Sequence, residues 1–105
     1  MGMILLNAFS LNMLADFPAR PLFEEISLDE AREAIGDSFE SAVGHADTAA
    51  VFSEQLGVAV PANRMTVALK KGDVAVVGQY RGPRLSEGTT TLPDGATIAW
   101  YRVTV

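Results

Sequence analysis

The chain has 105 residues, 49% of them hydrophobic, with thirteen acidic against eight basic side chains and a net charge of −5. That length suits one domain, and a mean hydropathy of +0.20 supplies enough apolar surface for a core, which excludes a disordered chain. The acidic balance speaks against a long duplex as partner, because phosphate neutralisation dominates such binding, whereas a few local arginines can still draw a small anion into a pocket.

The first element expected is a short buried strand over Met3 to Phe9 (MILLNAF). The N-terminus MGMILLNAF lacks the basic stretch of a signal peptide, and no apolar run reaches the ~18–20 residues needed to cross a membrane. The absence of cysteine fits a cytosolic protein, so a cytoplasmic location is expected. Ser10 then reads as an N-cap for a short helical turn over SLNML, ended by Phe17-Pro18. Arg20 to Ile26 (RPLFEEI) is a second strand, with Pro21 suited to its start or to a sheet edge.

Ser27-Leu28-Asp29-Glu30 is a capping box opening a helix that Gly36 ends, and Ser38 to Val43 adds a turn. Gly44-His45 breaks the pattern before a second helix over Ala46 to Leu56, where Ala49, Phe52 and Leu56 share a face and Gly57 is the C-cap. The period then becomes two. Arg64 to Lys71 is expected as one strand and Asp73 to Tyr80 as the next, joined at Lys71-Gly72-Asp73 as a hairpin. A long connection, Arg81 to Gly95, precedes a last strand over Thr97 to Val105. The expectation is an α+β fold: one domain over residues 1–105, with about five strands in a mixed sheet and helices packed on it. A domain this small buries limited surface, so a homodimer is the default.

The polar candidates stand at strand ends and connections. His45 is the one histidine, the residue type that titrates near neutral pH; it is either an exposed loop residue or a proton donor. Arg84 and Glu87 stand between Gly82 and Gly88 in GPRLSEG, as a solvated ion pair or as a site. Asn7, Ser10 and Asn12 follow the first strand, either as capping groups or as partners for ribose and base edges. Arg64 reads as a surface charge or a phosphate clamp, and Gln79 interrupts an apolar strand. With no cysteine a Cys-based zinc site is excluded, and with one histidine and no HExxH spacing a zinc site would need carboxylates for its other ligands, so neither a metal nor a cofactor is expected.

NAFSLNML (7–14), GHADTA (44–49), NR (63–64) and RLSEG (84–88) together resemble the small viral and mobile-element ring nucleases that destroy cyclic tetra-adenylate. That family includes the type III anti-CRISPR nuclease of archaeal viruses and related bacterial ring nucleases. The likeness runs in order from Met3 to the last strand, and NAFSxNML is its most specific piece. It implies a metal-independent enzyme acting as a symmetric homodimer, with one ring bound across the interface. Its products would be linear oligoadenylates ending in a 2′,3′-cyclic phosphate, and its effect would be to switch off type III CRISPR signalling. By the same likeness His45 would be the general acid, Arg84 the transition-state cation and Glu87 the residue that orients the histidine. Asn7, Ser10, Asn12, Arg64 and Gln79 would hold the ligand. GQYRGPRLSEG is one residue longer than in the archaeal viral members, so Gln79 is aligned through a local gap. Two other readings remain open: a non-catalytic binder of cyclic oligoadenylate, and a protein-interaction module.

Overall fold

The computed structural model describes residues 3–105. Five strands form one sheet: β1 (Met3–Leu6), β2 (Leu22–Ile26), β3 (Phe39–Ser41), β4 (Val74–Arg81) and β5 (Thr97–Thr104), in the order β2-β5-β4-β1-β3. β1 runs parallel to both β3 and β4, while β5 is antiparallel to β4 and to β2. The sheet is therefore mixed, and with helices α1 (Leu28–Ile35) and α2 (Ala46–Leu56) the domain is α+β, as the sequence suggests.

Strand alternation divides the apolar residues between two faces. Leu5 and Val76 point to the helical face and pack with Ile35, Phe52, Leu56 and Trp100. Leu6, Ala75 and Val77 point the other way, to Val67, Leu69 and Val103. On the helical face Phe52 and Trp100 lie with ring centroids 5.0 Å apart. A Cβ on Gly78 would stand 2.6 Å from each of those rings, so only glycine lets both rest on β4.

The helices begin and end as their sequences direct. The Glu30 amide donates to Ser27 Oγ at 3.1 Å and the Ser27 amide to Glu30 Oε1 at 2.9 Å, closing the capping box. The Ser27 amide, then its hydroxyl, hold the Glu30 carboxyl below its ordinary pKa. That contribution is present at neutral pH and is lost as the pH falls through the lowered value. Gly36 and Gly57 stand at the C-caps. The Arg32 guanidinium of α1 donates to the Gln55 carbonyl at 2.6 Å and 3.1 Å, satisfying an end of α2 and joining the two helices.

Four local expectations are corrected. The first strand ends at Leu6, and a 3-10 turn over Leu11–Met13 follows in which the Ser10 side chain makes no capping bond. Residues 38–43 contain β3 rather than a turn. Strand β2 starts at Leu22 rather than Arg20, at the sheet edge where Pro21 can precede it. The largest correction is that Arg64 to Lys71 is not a strand. β4 already has β1 on one side and β5 on the other, which leaves no edge for a hairpin partner. The segment instead borders β3, where the Asn63 amide donates to the Val43 carbonyl at 2.7 Å. It then crosses beneath the sheet, burying Val67 and Leu69 and touching the chain after β1 through Leu14↔Leu69. The turn before β4 does form, with the Asp73 amide bonded to the Lys70 carbonyl.

Replacing Gly78 by alanine forces Phe52 or Trp100 away from β4. It should destabilise the fold by about 1–3 kcal/mol, read in urea as a lower midpoint at unchanged slope.

Candidate active site

Because β1, β3 and β4 run in the same direction, their carboxyl ends emerge at one edge of the sheet. Asn7 follows β1, Gly44 and His45 follow β3, and the long connection follows β4. Ligand crevices in open sheets form at such ends.

A cleft of about 530 Å³ opens there, lined by His45, Asp47, Thr48, Tyr80, Gly82, Arg84 and Leu85. The histidine comes from the turn into α2, where it occupies the N-cap position without a side-chain capping bond. Arg84 comes from the connection between β4 and β5. Two of the three expected catalytic residues therefore share one wall. His45 and Arg84 are exposed. Among the described residues the ion pairs are Arg32–Asp29 and Arg102–Glu24, so Arg84 has no carboxylate partner. The Arg84–Glu87 surface pair is not formed.

The connection is a long excursion from a tight neck. Arg81 pairs with Thr97, and the chain leaves the ladder at Gly82 and returns at Ala96. A Cβ on Gly82 would stand 2.6 Å from the Ala96 Cβ and 3.0 Å from the Tyr80 hydroxyl, so the neck closes only over glycine. The Tyr80 hydroxyl donates to the Pro83 carbonyl at 2.6 Å, and the Gly88 amide donates to Asp47 Oδ1 at 3.1 Å. Ser86 and Thr89 close a turn between them, with the Ser86 carbonyl accepting from the Thr89 amide and hydroxyl.

The other expected site residues lie outside this wall. Glu87 is exposed beside Gly88 and does not line the cleft. The Arg64 Nε donates to the Gly44 carbonyl at 3.2 Å, so Arg64 touches the backbone that presents His45 rather than the cleft itself. Asn63 acts alongside it, its Nδ2 donating to the Ser41 carbonyl at 2.8 Å. Asn7 is half-buried after β1, while Ser10 and Asn12 are exposed at the 3-10 turn. Gln79 points to the opposite face from Tyr80. It lines a second groove of about 370 Å³ with Phe9, Phe23, Val77, Arg81 and Tyr101, where Phe9 and Phe23 meet edge to face at 5.1 Å. Asp47, Thr48, Tyr80 and Leu85 are cleft residues that the sequence reading did not single out. The signal for Asp47 was its place two residues after His45 in a well-marked helix start.

Among the described residues no three of His, Cys, Asp and Glu come together as a metal-ligating group, and no helix is long and apolar enough to cross a membrane.

Comparison with known proteins places this architecture. B116 of Sulfolobus turreted icosahedral virus superposes with a TM-score of 0.84 over 100% of both chains, at 26% sequence identity. The protein ORF117 of Acidianus two-tailed virus is 41% identical over 68 residues, which is 62% of this chain. That match spans 57% of ORF117, so the chain covers less than two thirds of this curated relative. The STIV B116-like family model matches residues 3–95, nearly the whole length and including the strand ends, the His45 turn and the Arg84 loop. The chain belongs to the STIV B116-like family.

Proposed function

We propose that the protein is a metal-independent ring nuclease that binds cyclic tetra-adenylate across a homodimer and cuts it to linear oligoadenylates with 2′,3′-cyclic phosphate ends. The carrying observation is the meeting of the one histidine with an unpaired arginine in a single cleft at the carboxyl ends of three parallel strands. The residue likeness supports the same reading, in which degradation of the ring silences type III CRISPR signalling, and the viral origin of the relatives is consistent with it.

The chemistry asks little of the protein beyond placement and charge. A ribose 2′-hydroxyl attacks the adjacent phosphorus and loses its proton to solvent. The bond from phosphorus to the 5′-oxygen breaks, and His45 delivers a proton to that oxygen. Arg84 faces the phosphoryl oxygens as their charge grows, where a fixed cation stabilises the transition state more than the ground state. Holding the hydroxyl in line with the leaving oxygen supplies part of the barrier reduction as avoided entropy loss. Glu87 starts outside the cleft wall, so an orienting role for it requires the loop to tighten over the ligand.

The two faces bear on the dimer. Gln79 and His45 lie on opposite sides of the sheet in one chain. A ring touching both therefore reaches around the end of β4 or meets them from two chains. A symmetric pair of protomers presents equal contacts to the two halves of a fourfold ring. The position of Glu87 also favours one alternative, capture of the ring without cleavage, and a product assay separates the two.

Purified protein should linearise cyclic tetra-adenylate at a rate unchanged by EDTA. A rate lost to EDTA and restored by a divalent cation would contradict the mechanism, and an intact ring held tightly would favour capture. His45→Ala should lower the single-turnover rate by at least ~10²-fold while binding persists. Arg84→Ala should cost about 10²-fold or more. Arg84→Lys should recover only part of that loss, because an ammonium does not reproduce the planar guanidinium.

A further inference from the structure

The loop carrying Arg84 is suspended from both ends. Tyr80 holds its entry by the hydroxyl bond to the Pro83 carbonyl, and Asp47 holds its exit by accepting the Gly88 amide. Only Arg84, Leu85, Ser86 and Glu87 lie between the two fastenings. The entry anchor stands on β4, in the sheet. The exit anchor stands on the first turn of α2, two residues after His45. The histidine and the loop exit are therefore fixed to the same rigid helix start, although Asp47 and Gly88 are 41 positions apart in the chain.

An acid in the first turn of a helix has an ordinary explanation, since it complements the helix dipole. Three observations go beyond that. The Asp47 oxygen is bonded to the loop, and His45 at the N-cap makes no side-chain capping bond. Asp47 also lines the cleft itself, where a carboxylate works against an anionic ligand by like-charge repulsion. A residue that opposes binding at such a place has a use that offsets the cost.

We infer that Asp47 is a positioning residue, a latch whose carboxylate holds Gly88 and thereby sets the separation between the Arg84–Glu87 segment and His45. The latch itself is a property of the free protein. Its catalytic consequence rests on the ring-nuclease reading. Without the bond, the loop exit is free while Tyr80 still holds the entry, so Arg84 sweeps an arc about Pro83 and meets the phosphate in the productive geometry only part of the time.

The test uses Asp47→Ala and Asp47→Asn in the full chain, with thermal unfolding to show that both are folded. Asn retains an oxygen that can accept the Gly88 amide; Ala does not. In the free protein, hydrogen exchange of the Gly88 amide, followed by NMR, should quicken by about ten-fold or more in Asp47→Ala. Asp47→Asn should restore most of the protection. At saturating cyclic tetra-adenylate, single-turnover cleavage by Asp47→Ala should fall ~10–100-fold, the scale expected when a reacting group is misplaced by about an ångström. Its ring affinity should hold or rise, and Asp47→Asn should recover most of the rate. Unchanged Gly88 exchange in Asp47→Ala overturns the latch. An Asn variant that protects Gly88 yet cleaves as slowly as the Ala variant overturns the catalytic consequence, because the charge rather than the bond would then matter. If wild-type protein leaves the ring intact while Gly88 responds as described, the latch stands and the ring-nuclease reading fails.

Discussion

The parallel pairing of β1 with β3 and β4 is the constraint on which the site depends. Leu5 pairs with both Ser41 and Val76, and Leu6 with Val77, so three chain segments leave the sheet at one edge. Had β4 formed a hairpin with the preceding segment, His45 and Arg84 would have lost that common frame. Apolar burial enforces the pairing. Leu5, Val76 and their helical-face neighbours are fully covered by α1 and α2, and a slip of one residue would turn each strand's apolar set to the wrong face. The approach of Phe52 and Trp100 over Gly78 fixes α2 against β4, and with it the distance from the His45 turn to the loop. Core packing thus reaches the site through a short chain of contacts.

The two sides of the sheet serve different ends. The helical side carries the cleft with the histidine and the arginine. The opposite side carries an aromatic groove at Phe9, Phe23 and Tyr101, bordered by Gln79 and Arg81. Adjacent residues of β4 alternate between these sides, so Tyr80 and Gln79 belong to separate surfaces. The net charge of −5 does not conflict with an anionic ligand, because field at a cleft follows local groups. Arg84 stands in the wall and Arg64 lies behind the His45 turn; of the acids, Asp47 shares the wall with its oxygen bonded to the Gly88 amide, while Asp29, Glu30 and Glu33 sit on α1.

Much of this was legible in the sequence wherever one local interaction decides the conformation. The capping box at Ser27 and Glu30, the Gly57 stop and the overlong link after β4 all follow from neighbours within a few residues. Residues 64–71 show where that reasoning fails. Their alternating pattern is real, since Val67 and Leu69 are buried, but alternation reports burial on one side and not a hydrogen-bonded neighbour. The strand edges they needed were taken by segments distant in sequence. β3 failed for the complementary reason: Phe39, Glu40 and Ser41 are too few to show a period, and parallel pairing with β1 alone makes them a strand. At the site, His45 and Arg84 were readable as residue types in suggestive places. Asp47 was marked only by its place two residues after His45, because its partner is the backbone of Gly88, which no side-chain pattern announces.

The central claim is that the His45–Arg84 cleft is where the cyclic ligand sits. One histidine in the chain gives one imidazole Cε1–H signal, so the claim can be read directly by NMR. Titration uses a cyclic tetra-adenylate whose 2′-hydroxyls are replaced by hydrogen, a ring that lacks its internal nucleophile. The account predicts a saturable displacement of the His45 signal that tracks binding measured by calorimetry. A ring that binds to saturation while the His45 signal stays in place would contradict it.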